Sequence, residues 1–169
     1  SVTSAGAAGF RTTVTAVTAT EAPLPAGWEW LSDRPWVQQA NGWGPVEKDR
    51  SNGEQGAADG NPMSIGGVRY AKGLGVHAYS SVLVDLGGTC TRFRADVGVD
   101  DEATGSVEFE IWADGTLRAR SGVVTGAGAA LPVDVDLTGT HQLDLRVTDA
   151  GNGNGMDHAD WAAARLTCD

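Results

Sequence analysis

The stretch GMDHADW, residues 155–161, sets Asp157, His158 and Asp160 within four positions. Two carboxylates and an imidazole could bind a metal or run acid–base chemistry. A zinc site needs a third or fourth ligand from elsewhere, and oxygen-rich surroundings suit calcium better. A second concentration lies in NGWGPVEKDRSN, residues 41–52. Here Trp43 stands between two glycines with Glu47, Lys48, Asp49 and Arg50 just downstream. An exposed aromatic beside charged hydrogen-bonding groups is what a sugar requires: the C–H face of a pyranose stacks on the ring while its hydroxyls meet carboxylate, ammonium or guanidinium. The alternative is that Trp43 folds back as a lid on the body of the domain. His77, in KGLGVHAYS, is the third candidate, because Gly73 and Gly75 leave room for something to approach the backbone closely.

Other candidates have plainer explanations. Asp100, Asp101 and Glu102 end an apolar run and precede Ala-Thr-Gly, an ordinary place for turn-forming acids. Glu108 and Glu110 alternate with Val107, Phe109 and Ile111 and read as the wet face of a strand. His141 opens an alternating strand and reads as a strand-end residue, and Trp161 reads as core. Neither a G-x-S-x-G elbow nor an H-E-x-x-H pair occurs, so catalysis by this chain is not expected.

The elements that must position these residues are β-strands. Short alternating runs such as SVEFEIWA and LPVDVDL recur between turn signals, and no long amphipathic helical stripe is present. Gly66-Gly67 and Asp114-Gly115 each sit between two such runs and predict two-residue hairpin turns. The expected fold is all-β, an antiparallel β-sandwich of jelly-roll type. Residues 1–27, rich in Ala and Thr and ending in Pro-Leu-Pro-Ala-Gly, read as a linker or the tail of a preceding domain, although FRTTVTAVTA could pair as an edge strand. Residues 28–169 form the sandwich, with the polar segment after Trp36 at its surface.

Twenty-two acidic against twelve basic residues give a net charge of −10, which argues against nucleic acid and anionic membrane as partners. The two cysteines, Cys90 and Cys168, are read as a disulfide clamping the last strand in preference to two free thiols, which implies an oxidising, extracellular setting. The chain opens at Ser1 without a signal-like region and reads as a mature secreted chain or an excised domain.

Four segments, NGWGPVEKDRSNGE, DGNPMSIGGVRYAKGLGVHAYSSVLVDLGG, FRADVGVDDEATGSVEFEIWADG and VDVDLTGTHQLDLRVTDAGNGNGMDHADWAAARL, together resemble the NPCBM family, the family 51 carbohydrate-binding modules. The resemblance runs in order from about Leu31 to Cys168. It implies a galactose-binding-like β-sandwich, a non-catalytic role, covalent attachment to a secreted glycoside hydrolase, recognition of galactose-type carbohydrate, and a structural calcium ion. Carried onto this chain, it makes Trp43 the stacking platform, His77 a donor to a galactose hydroxyl, Glu47 and Lys48 further polar contacts, and Arg50 and Asn52 additional ones. Asp49, Asp157 and Asp160 are the candidate calcium ligands. A monomer is expected. The rival expectation is an accessory sandwich that packs against a catalytic domain and binds no sugar.

Overall fold

The computed structural model describes residues 23–53 and 55–169. The reading of residues 1–27 as a linker, and of FRTTVTAVTA as an edge strand, falls up to residue 22 outside the described residues. In chain order the strands are β1 (Trp28–Trp30), β2 (Gln38–Ala40), β3 (Glu47–Lys48), β4 (Met63–Ile65), β5 (Val68–Tyr70), β6 (Gly73–His77), β7 (Ser80–Asp85), β8 (Cys90–Val99), β9 (Ser106–Ala113), β10 (Thr116–Thr125), β11 (Leu131–Asp136), β12 (Gln142–Thr148) and β13 (His158–Cys168). A single 3-10 turn, Leu31–Asp33, interrupts them. The fold is the expected all-β sandwich. One sheet runs β11-β8-β13-β6-β3, with β1 added to β13; the other runs β10-β9-β12-β7-β2; β4 and β5 form a separate hairpin.

Alternation decides which side chains fill the space between the sheets. Val107, Phe109 and Ile111 of β9 and Leu143, Leu145 and Val147 of β12 meet Phe93, Ala95 and Val97 of β8 in one core. Trp161 of β13 is fully buried, its ring 4.9 Å edge-on from Phe109 and 6.1 Å from Phe93, so it touches both layers. Truncating such a residue to alanine costs about 3–5 kcal/mol. Cys90 and Cys168 lie opposite each other on β8 and β13 and are disulfide-bonded. The bridge closes a 78-residue separation, a constraint on the unfolded chain of about 4 kcal/mol. Both hairpins form where expected: Gly66 and Gly67, and Asp114 and Gly115, all take positive φ.

Two surface expectations need correcting. Glu110 is buried rather than solvated, because Arg120 of β10 lies over it and the Trp112 indole N–H donates to its carboxylate at 2.8 Å. Glu47, Ser51 and Asn52 in the polar segment are likewise buried. That segment folds back across the outer face of β6 and β13 instead of standing off in water. Gly75 permits the approach, since a Cβ there would lie 2.3 Å from the Arg50 carbonyl and 2.6 Å from the Asn52 nitrogen. What Gly75 admits is therefore the chain's own loop, while at Gly73 a Cβ would meet the Trp161 carbonyl of β13 at 2.4 Å.

Candidate functional site

Val76 and Ala159 face the core, so their neighbours His77 and His158 must project from the outer face of the same sheet. The antiparallel register of β6 and β13 places these two histidines directly opposite each other. Their rings meet edge to face with centroids 4.7 Å apart. Nδ1 of His77 lies 2.8 Å from the Ala78 carbonyl oxygen, and Nδ1 of His158 bonds the Asn52 carbonyl. A carbonyl can only accept, so each neutral ring carries its proton on Nδ1 and keeps a lone pair on Nε2. Burial, and in smaller measure the neighbouring His158, hold the His77 imidazolium below its ordinary pKa of 6.5, against the opposing pull of the Ala78 carbonyl. The neutral His77 ring therefore offers an acceptor at Nε2, whereas the family pattern gives this residue a donor role.

These rings form the floor of a cleft of about 430 Å³, a size ordinary for a small-molecule site. Gly42 and Trp43 make one wall; Asn154, Gly155 and Met156 make the other. The first wall is tied down from the backbone. The Gly42 N–H donates to the His77 carbonyl at 3.1 Å. Trp43 is 40% exposed, yet its carbonyl accepts from both Asn41 Nδ2 at 2.9 Å and Asn52 Nδ2 at 2.8 Å. The indole is thus open to solvent on a fixed backbone. In the second wall, Asp149 gathers the Gly151 and Gly153 N–H groups and the Tyr79 hydroxyl, and Asn154 Nδ2 reaches across to the Ala78 carbonyl at 3.2 Å.

Of the residues singled out in the sequence, the fold brings Trp43 and His77 together here. Asn52 lies beneath the cleft, where it braces Trp43 and accepts from His158. Glu47, Lys48 and Arg50 are not among the lining residues. Both Glu47 oxygens accept from the Ala58 N–H at 2.9 Å; Lys48 bonds the Arg34 carbonyl and sits 4.6 Å from the Trp36 ring centroid; Arg50 bonds the Ala58 carbonyl. The reason is topological. β3 runs antiparallel to β6, pairing Glu47 with Gly75 and Lys48 with Leu74, so these two residues stand two and three positions along β6 from His77; the chain then turns at Asp49 and returns over Gly75 with the Arg50 side chain directed to Ala58. His158, which the sequence sets only in the Asp157–Asp160 cluster, lines the floor of this cleft. Asn154 and Met156 carry no sequence signal beyond membership of a glycine-rich turn.

The three candidate calcium ligands are not brought together either. Asp49 is paired with Lys72 at 2.8 Å, and Asp157 accepts from the Ser106 N–H at 3.0 Å. Asp160 stands apart from both. It is completely buried between Gly75 and Gly98 of the flanking strands, and neither carboxylate oxygen has a donor. Desolvation, then Asp100, Glu102 and Asp101, push its carboxyl well above the ordinary value. Among the described residues the one grouping of three metal-ligand types is Glu29 with Cys90 and Cys168, whose sulfurs the disulfide takes.

Comparison with known proteins decides the family. The NPCBM/NEW2 domain model matches residues 27–167. The chain belongs to the NPCBM/NEW2 family. Its fold resembles that of the family 51 carbohydrate-binding module of a Clostridium perfringens family 95 glycoside hydrolase, solved in complex with methyl-galactose. That likeness has a TM-score of 0.74 and 34% identity, covering 83% of this chain and 99% of that one. A second such module, from Clostridium perfringens ZmpB and solved with GlcNAc, has the same TM-score at 32% identity, covering 83% of this chain and 31% of that one. Among curated proteins, a Renibacterium salmoninarum protein named as an endo-alpha-N-acetylgalactosaminidase is 42% identical over 93% of this chain. An Akkermansia muciniphila alpha-1,3-galactosidase B is 34% identical over 70%. The chain spans 10% and 15% of the length of these two relatives. This NPCBM domain thus has the carbohydrate-binding-module fold found in glycoside-hydrolase-related proteins.

Proposed function

We propose that this domain is a non-catalytic carbohydrate-binding module that recognises galactose-terminated glycans and holds a covalently attached, secreted glycoside hydrolase on its substrate. One observation carries the reading: an exposed tryptophan on a pinned backbone shares a cleft with two imidazoles whose Nε2 lone pairs are fixed by backbone carbonyls. A pyranose stacks its apolar C–H face on Trp43 while hydroxyls at its edge donate to the histidines. Galactose fits this division, because its axial 4-hydroxyl leaves the plane of the ring and can be met from the side. The methyl-galactose bound by the Clostridium perfringens module supports the same sugar.

Calorimetry of the isolated domain with methyl galactoside tests the reading. Trp43→Ala and His77→Ala are each expected to abolish detectable binding while the melting temperature stays within a few degrees. Binding unchanged in both variants removes this site. A folded wild-type domain that binds no galactoside favours instead the accessory sandwich that packs against a catalytic domain.

Calcium belongs to the same proposal. The orphaned, fully buried Asp160 carboxylate fits a cation, and Asp160 with Asp100 would hold it. The remaining oxygens would come from backbone carbonyls and from Glu102 and Asp101, whose charges also act on Asp160. Its role would be structural, fastening the cleft-forming loop to the sheet, and sugar contact stays with Trp43 and the histidines.

A further inference from the structure

The cleft does not end at the histidines. Seven large apolar side chains are exposed among the described residues, and three of them, Trp43, Met156 and Tyr79, occur at or beside this one site. Tyr79 is the one that does not line the cleft. It follows Ala78, whose carbonyl is bonded by both His77 and Asn154, and its backbone nitrogen lies 3.0 Å from where a Gly42 Cβ would stand. The residue therefore starts at the rim, between the two walls.

Its side chain is 58% exposed, yet it is not loose. The hydroxyl donates to Asp149 at 2.6 Å, and Asp149 is itself locked by the Gly151 and Gly153 N–H groups. A surface tyrosine ordinarily loses rotamer entropy when a ligand settles on it; here the tether has already removed that freedom. The ring is held in place, largely solvated, beside a monosaccharide-sized cleft.

Resting on the galactose reading above, we propose that Tyr79 forms a second subsite, an aromatic platform for the penultimate sugar of a glycan whose terminal residue occupies the Trp43–His77–His158 cleft. The domain on this view recognises at least a disaccharide. Its preference among galactose linkages follows from which ones lay the second ring over Tyr79.

Calorimetry with four probes tests this: methyl galactoside, N-acetyllactosamine, and the β1,3- and α1,3-linked galactosyl-galactose methyl glycosides. At least one disaccharide is expected to bind about fivefold more tightly than methyl galactoside. Tyr79→Ala should return that disaccharide to the monosaccharide level, and Tyr79→Phe, which keeps the ring but frees Asp149, should retain most of the gain. Wild-type protein that binds every disaccharide no better than methyl galactoside overturns the subsite and leaves the galactose reading intact. Equal losses in both variants on all four probes also overturn it, by showing that the hydroxyl only braces the loop at Asp149. Failure of the wild type to bind methyl galactoside removes the terminal-sugar reading, and the subsite with it.

Discussion

Two cross-strand positions on the same outer face of the same strand pair have opposite fates. At one, His158 faces His77; two residues along, Asp160 faces Gly75. Each imidazole has its Nδ1 held by a carbonyl and its edge in an open cleft. The carboxylate has no donor and no solvent. Strand geometry treats the two sites alike, so the difference comes from what lies over them: the 50–52 loop and Ile65 of the β4–β5 hairpin pack over the glycines on either side of Asp160, whereas at the histidines the loop reaches only His158 Nδ1 and a cleft stays open beside the rings. Cover alone leaves the histidine pair beside an open cleft and seals in the Asp160 carboxylate, which a cation or a proton must then neutralise.

The sharpest way to break this arrangement is to lift the cover. Gly75→Ala puts a methyl group against the Arg50 carbonyl and is expected to destabilise the domain by about 3 kcal/mol, seen as a lower midpoint in urea. Because Asn52 holds both Trp43 and His158, galactoside affinity should fall in the fraction that stays folded.

A smaller effect separates the two sites. Burial raises the Asp160 carboxyl above its unfolded value of 3.8, so without a cation the folded state binds the extra proton and the residue's contribution worsens as pH rises through its folded value. Asp160→Asn should therefore be more stable than the wild type in chelator at neutral pH, by about 2 kcal/mol, and the advantage should shrink in acid. Added calcium should raise the melting temperature of the wild type and not of the variant. A wild type indifferent to calcium would mean that Asp160 is protonated and shares its proton with Asp100.

The smallest effect belongs to the histidine floor. The His77 pKa is lowered on folding, so the unfolded chain takes up the proton first. The stability due to neutral His77 is complete above about pH 6.5 and declines as pH falls from there toward its folded value. Its Nε2 acceptor is lost only below that folded value, where galactoside affinity should drop about tenfold per pH unit. Calorimetry over a pH range that brackets the folded His77 pKa, itself located by NMR titration, reads this directly, and affinity that is flat across that pKa would show that His77 accepts no hydroxyl.

Much of this was legible in the chain. The alternation in SVEFEIWA and LPVDVDL gave the strands, Gly66-Gly67 and Asp114-Gly115 gave the turns, and Trp161, at the start of an Ala-rich run, read as core and is core. Trp43 and His77 were visible as an aromatic and an imidazole set among glycines. Their meeting was not, because the two positions lie 34 residues apart and the distance is closed by the 41–52 loop, whose Asn41 and Gly42 bond the His77 backbone. Glu47, Lys48 and Arg50 are near Trp43 in sequence, but β3 sets the first two along β6 away from the cleft and the Arg50 side chain turns to the Ala58 carbonyl.

The sequence by itself determined the fold class, the disulfide partners, the hairpins and the family, all of which rest on local pattern or on residue identity. Only the tertiary structure decided that His158 joins His77, that Asn52 works from below, and that Asp160 is dry while His158, two residues away, is wet. Those outcomes depend on register and on cover, which are long-range properties. A period-two strand pattern says which side chains share a face, and it says nothing about what will come to lie over that face.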